Sequence, residues 1–178
     1  LGFWGGTSFY QGDLSPQEIS EGFEFYTNSF EPAGGMFLRL NPAKLFSLEL
    51  GLNLGKVSGE DGVTNDFENR NFNFRSRITE LALKGDFHLF RLGNVRGTQL
   101  VPYLMGGGSV FRFNPERKFD GNFIELQPLG TEAQGAPGYD APYSLTNFAV
   151  LLGGGIKIIV KERFTIGLEL GARKTFTD

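Results

Sequence analysis

Cysteine is absent from the 178-residue chain, so no disulfide scaffold, thiolate zinc site or cysteine nucleophile is available. Histidine occurs once, as His88, which excludes a His-rich metal cluster. Positive charge is not in excess. The net charge is −3 and the pI near 5.3, which argues against nucleic-acid binding through a basic face. No apolar run approaches the roughly 18 residues of a membrane-spanning helix. No secretory leader is legible, because Leu1 opens directly into an aromatic, Gly-rich segment, and the sequence reads as mature, trimmed or cytoplasmic. The 19.7 kDa mass suits one domain over residues 1–178. Glycine and phenylalanine are plentiful, at 26 and 19 residues. Glycine stands at about twice its usual share.

The apolar residues recur with a period of two. Over 45–55, Phe46, Leu48, Leu50, Leu52 and Leu54 fall on one face, while Ser47, Glu49, Gly51, Asn53 and Gly55 fall on the other. This is strand alternation, since on a helix the leucines would spread around the cylinder. The same pattern predicts strands at 164–177, with Phe164, Ile166, Leu168 and Leu170 against Gly167, Glu169, Gly171 and Arg173, and at 146–161, with Phe148, Val150, Leu152, Ile156 and Ile158 against Gly153, Gly155 and Lys157. It predicts a strand at 101–113 with Val101, Tyr103, Met105, Phe111 and Phe113 as the apolar face and Gly106, Gly108 and Arg112 as the polar one. Over 73–90 the phase changes between Phe74/Ile78 and Leu81/Leu83/Phe87/Leu89, which predicts a bulge near Thr79–Glu80. Segments 2–12 and 35–41 complete seven strands.

Connections alternate between long (13–34, 56–72, 114–145) and short (42–44, 91–100, 162–163). That is the signature of an antiparallel, up-and-down transmembrane β-barrel. Such barrels have an even strand count, so eight strands are expected, with about seven present and a C-terminal strand missing beyond Asp178. In the first long loop, Ser15-Pro16-Gln17-Glu18-Ile19 forms a capping box that predicts a short helix.

Three features favour a membrane barrel over a soluble lipocalin-like ligand-binding barrel. The polar faces are rich in glycine (51, 55, 106, 108, 153, 155, 167, 171), as crowding inside a narrow barrel requires. Their charges are few and of mixed sign: Arg39, Glu49, Glu80, Lys84, Asp86, Arg112, Lys157, Glu169 and Arg173. Of these, Arg39, Glu49, Glu80, Lys84, Lys157, Glu169 and Arg173 are the candidate lumen network, able to pair where an isolated buried charge is costly. Phe3, Trp4, Phe9, Tyr10, Phe74, Phe90, Tyr103, Phe113 and Phe164 lie near strand ends, as interfacial girdles do. An eight-stranded lumen holds only side chains, so a diffusion pore is not expected.

Four stretches carry a family resemblance: Gly5-Gly6-Thr7-Ser8-Phe9-Tyr10-Gln11-Gly12-Asp13-Leu14, Asn71-Phe72-Asn73-Phe74-Arg75-Ser76-Arg77-Ile78-Thr79-Glu80, Leu126-Gln127-Pro128-Leu129-Gly130-Thr131-Glu132-Ala133-Gln134-Gly135 and Gly171-Ala172-Arg173-Lys174-Thr175-Phe176-Thr177-Asp178. Together they resemble the PorG family, the small outer-membrane barrels of the type IX secretion system, from end to end. The resemblance implies a non-enzymatic protein without a cofactor. It implies association with the periplasmic ring of PorK-type and PorN-type proteins, tethering that ring to the outer membrane. The system exports proteins and in some bacteria supports gliding motility. Family members continue past the equivalent of Asp178 into a final strand.

With both termini periplasmic, the short turns would face the ring, and Asn41, Lys44, Arg91, Asn94, Arg96, Lys161 and Arg163 are the candidate docking residues. Their basic rim would steer onto an acidic partner, or merely keep the barrel soluble at the membrane surface. The outer loop 114–145 would fold over the barrel mouth or contact other translocon subunits. Competing readings are a stand-alone adhesin-like barrel and a barrel enzyme. Asp86 and His88 share a face, but no companion is placed for a catalytic triad, so His88 reads as a lumen histidine.

Overall fold

The computed structural model describes residues 1–9, 30–60, 73–94, 97–119, 122–129, 143–161 and 163–176. Nine strands form one antiparallel sheet: β1 (Gly2–Ser8), β2 (Glu31–Ala43), β3 (Phe46–Glu60), β4 (Asn73–His88), β5 (Leu92–Gly93), β6 (Thr98–Phe119), β7 (Asn122–Glu125), β8 (Thr146–Val160) and β9 (Phe164–Thr175). The order β1-β2-β3-β4-β6-β8-β9 is a simple meander of seven strands, and short β5 and β7 fold back onto the two ends of β6. The sheet curls into a half-barrel whose edges are β1 and β9.

Cross-strand register turns the period of two into two surfaces. Leu40 lies opposite Leu48, Met36 opposite Leu52, Leu50 opposite Leu83, and Leu52 opposite Leu81. These pairs build a continuous apolar outer face. Leu54 is 58 % exposed, Leu83 56 % and Leu168 83 %. The concave face is the reverse: Ser47, Glu49, Glu80, Asp86, His88 and Lys157 are buried there. This polarity is opposite to that of a soluble barrel, which hides its apolar side chains and shows its charges.

The short connections gather at one end. Lys44 and Leu45 turn β2 into β3, β5 pairs with the start of β6, and Lys161 adopts a left-handed φ of 49° between β8 and β9. Hydrogen bonds tie these turns to one another. The Lys161 amide donates to the Gly97 carbonyl (2.8 Å), and the Arg91 guanidinium donates to the Lys44 carbonyl (2.7 Å). At the opposite end, the β6–β7 hairpin is held to β4 by Arg75, which pairs with Glu116 (2.6 Å) and lies over the Phe123 ring (3.2 Å).

Several expectations need correction. No bulge interrupts β4 at Thr79–Glu80: its register with β3 and with β6 runs unbroken. The apolar pattern changes face there because the strand leaves the apolar zone. Its outward residues pass from Leu83 and Leu81 to Thr79 and Arg77, while Phe74 and Ile78 sit on the inner row with Glu80. On β6 the predicted faces are inverted. Val101, Tyr103, Met105 and Phe111 are buried inside, while Leu100, Leu104, Val110 and Arg112 face outward with Gly106 and Gly108. Arg112 is therefore no lumen charge. Trp4, Phe74, Tyr103 and Phe113 also lie on inner rows and leave the predicted girdle, whereas Phe3, Phe9, Phe90 and Phe164 are exposed.

The connections after β3 and β6 are shorter than expected, since β3 runs to Glu60 and β6 continues to Phe119 before β7, whereas the first is displaced, with β1 ending at Ser8 and β2 starting at Glu31. The capping box at 15–19 lies outside the described residues.

Inner glycines make room for large neighbours. A Cβ on Gly155 would sit 2.8 Å from the Tyr103 hydroxyl and would also strike the Leu168 carbonyl, whereas one on outward Gly108 would meet only the Ala149 carbonyl oxygen at 3.7 Å. Gly155→Val is expected to cost about 2 kcal/mol or more, as overpacking does. Gly108→Ala should be near neutral. Thermal unfolding of the two variants, followed by the gel mobility of folded and unfolded forms, checks this.

Candidate functional site

The sequence predicts seven lumen charges, and the structure brings all of them into one interior. Arg39 comes from β2, Glu49 from β3, Glu80 and Lys84 from β4, Lys157 from β8, and Glu169 and Arg173 from β9. Each forms an ion pair, with Asp86 of β4 as the eighth member, so four cations face four carboxylates. Alternation places them on one face, and curling brings strands that are not sheet neighbours within reach.

Two layers result. Near the loop end, Glu80 accepts a two-pronged bond from Arg173 (2.9 and 3.0 Å), with further bonds from Asn53 (2.9 Å) and Ser109 (2.8 Å). Asn53 in turn accepts the Trp4 indole N–H (2.8 Å), so this layer spans β1, β3, β4, β6 and β9. Toward the turn end, Lys84 bridges Glu49 (3.0 Å) and Glu169 (2.6 Å), and the Tyr103 hydroxyl donates to Glu169 (2.8 Å). Lys157 donates to Asp86 (2.6 Å) and sits over the Tyr103 ring at 4.1 Å. Arg39 pairs with Glu49 and reaches Asp86 at 3.7 Å. Asp86 Oδ1 and Arg39 Nε are buried without a hydrogen bond of their own. The approach of Arg39 Nε is to Asp86 Oδ2, and at 3.7 Å that attraction is Coulombic.

His88 closes this layer at the turn. Its Nδ1 is 3.1 Å from the Lys44 carbonyl, so that ring nitrogen carries the proton and donates it. Nε2 lies 3.2 Å from Ser47 Oγ and 3.4 Å from Lys157 Nζ. Ser47 is 0 % exposed, and its hydroxyl also bonds to Asn41 (2.8 Å). Asp86 is engaged by Lys157 rather than by the imidazole. The arrangement fixes the imidazole between the Lys44 carbonyl and the fully buried Ser47 hydroxyl. Among the described residues no group of three His, Cys, Asp or Glu side chains is placed to hold a metal ion.

The period does not point to Tyr103 and Ser109, because β6 is more apolar on its inner face than the pattern of its neighbours suggests. Met105 explains why: its Sδ is 3.9 Å from Lys84, and its methyl group fills the space beside Gly153 and Gly171. Asn53 and Trp4 share inner rows with charged residues, and that is the signal by which alternation locates them.

The candidate docking residues lie at the turn end. Lys44, Arg91, Lys161 and Arg163 are exposed on its surface, and Asn94 sits in the same rim, its carbonyl accepting from the Gly97 amide (2.9 Å). Asn41 uses its side-chain oxygen on Ser47. Arg96 lies outside the described residues.

A family model described as "Domain of unknown function (DUF6089)" matches residues 1–178 of the chain. No curated protein and no solved structure matches it.

Removing one partner of a buried pair leaves an uncompensated charge, which typically costs about 3–5 kcal/mol. Arg173 is 43 % exposed, so Glu80→Leu is expected to cost roughly 2–3 kcal/mol, the shortfall reflecting solvent screening. Asp86→Leu should cost more, because Lys157 is only 5 % exposed. Adding Arg173→Met to Glu80→Leu should recover part of the loss. Thermal unfolding of the three variants measures the order.

Proposed function

The chain is a member of the DUF6089 family, and we propose that it is a non-enzymatic outer-membrane component of the type IX protein secretion system. In this role it anchors the periplasmic PorK/PorN-type ring to the outer membrane. The observation that carries the membrane part of the reading is the inverted polarity: Asp86 is 0 % and Lys157 4 % exposed, while the leucines stand outside. That surface is unfavourable in water and suited to lipid.

Its height fits as well. Five outward positions from Phe46 to Leu54 span about 26 Å along β3, at about 3.3 Å per residue. With a strand tilt of about 40° this becomes roughly 20 Å, close to the roughly 25 Å apolar band of such barrels.

A filled, neutralised interior supports an anchor rather than a pore. The tether role draws on the PorG-like motifs and on the turn end, where exposed Lys44, Arg91, Lys161 and Arg163 form a basic rim. In this reading the turn end and the start of β1 face the periplasm, the long loops face outward, and lipid, ring proteins and other translocon subunits are the partners.

Lysine-directed cross-linking of native outer membranes, followed by mild-detergent extraction and mass spectrometry, tests the reading. Cross-links from Lys44 or Lys161 to ring proteins are expected. Recovery of the barrel alone, with intact rings in the same extract, would return the protein to a stand-alone adhesin-like role.

A further inference from the structure

The outer face changes character abruptly at the loop end. The last wholly apolar row holds Leu52, Leu81, Val110 and Phe148, which lie side by side in register across β3, β4, β6 and β8. One step further along the strands, Leu54, Thr79, Arg112 and Thr146 form the next outward row, and a step beyond that Lys56, Arg77 and Asn114 form another. Arg112 and Arg77 are thus diagonal neighbours on adjacent strands, about 7 Å apart at the backbone. Thr79 lies opposite Arg112 and two residues from Arg77 on the same face.

These two arginines differ from the other charges near them. Both are exposed, and among the described residues neither forms an ion pair. Among the described residues, the nearby carboxylates are engaged elsewhere: Glu116 with Arg75, Glu125 with the Asn114 amide, and Glu31 with Lys56. Two like charges held diagonally across a strand pair repel each other. A shared anion relieves that repulsion, and a phosphate accepts forked bonds from both guanidinium groups and one from a hydroxyl.

We infer that Arg77 and Arg112, with the Thr79 hydroxyl, form a clamp for the phosphate head group of a membrane lipid, whose acyl chains lie on Leu81, Val110 and Phe148. The inference rests on the outer-membrane reading, which places this row at the lipid boundary. A lipid is the occupant the position favours, because the clamp sits directly above a surface that only hydrocarbon covers.

The test inserts the full chain into vesicles of phosphatidylcholine with and without phosphatidic acid, extracts it in mild detergent, and counts retained lipid by native mass spectrometry. Wild type is expected to retain phosphatidic acid in preference to phosphatidylcholine. Arg77→Gln and Arg112→Gln should each weaken retention about tenfold, the order expected for a charge-assisted bond. Arg77→Lys/Arg112→Lys should hold an intermediate amount, and turn-end Arg163→Gln should match wild type.

Equal retention by an inserted Arg77→Gln/Arg112→Gln variant would overturn the clamp and leave the barrel reading standing. So would a wild type that inserts but shows no preference. Displacement of the lipid by inorganic phosphate would make the site a free-anion site and overturn the lipid assignment. A wild type that enters neither vesicle overturns the membrane reading and the clamp together.

Discussion

The pairing of charges across the concave face is the constraint on which the rest of this structure depends. Backbone hydrogen bonds join each strand to its neighbours and leave the curvature of the sheet free. Lys84 of β4 reaches Glu169 of β9, and Arg173 of β9 reaches Glu80 of β4, over two intervening strands. Lys157 of β8 reaches Asp86 over one. An ion buried without a partner costs several kcal/mol, so a flatter sheet that separated these groups would lose far more than it gained in freedom. Strand β4 is the hub, since Glu80, Lys84, Asp86 and His88 all belong to it.

The outer surface follows from the same alternation. Once the odd-numbered residues of β3 carry Ser47, Glu49 and Asn53 inward, the even-numbered leucines have no interior left to occupy. They must face a medium that tolerates them, and a bilayer is that medium in the function proposed above. Large inner side chains meet glycines on the facing strands, as Tyr103 does at Gly155 and Met105 at Gly153 and Gly171. The interior is therefore packed by shape as well as by charge.

How much of this is legible in the sequence depends on the strand. β3 and β9 declare both faces, because charged or small residues alternate strictly with leucine and isoleucine, and the lumen charges follow from them. β6 misleads, since Val101, Tyr103, Met105 and Phe111 look more lipophilic than outward Pro102, Gly106 and Gly108. The reason is the big-against-small packing with β8 and β9, a tertiary fact that no single strand records. β4 misleads differently: a straight strand crosses from an apolar zone into a polar one, and the swap in hydrophobicity imitates a bulge. The pairing partners within the lumen, such as Lys84 with two glutamates, depend on curvature and were beyond reach of the period alone.

The central claim is that the charged face looks inward and the leucine face looks into lipid. The absence of cysteine makes single-cysteine labelling unambiguous. Fluorophores attached one at a time along residues 48–54 of β3, in vesicles containing lipids with brominated acyl chains, test it most directly. The account predicts strong quenching at positions 48, 50, 52 and 54 and little at 49, 51 and 53. Quenching without alternation, or stronger quenching of the even positions by an aqueous quencher, would contradict it.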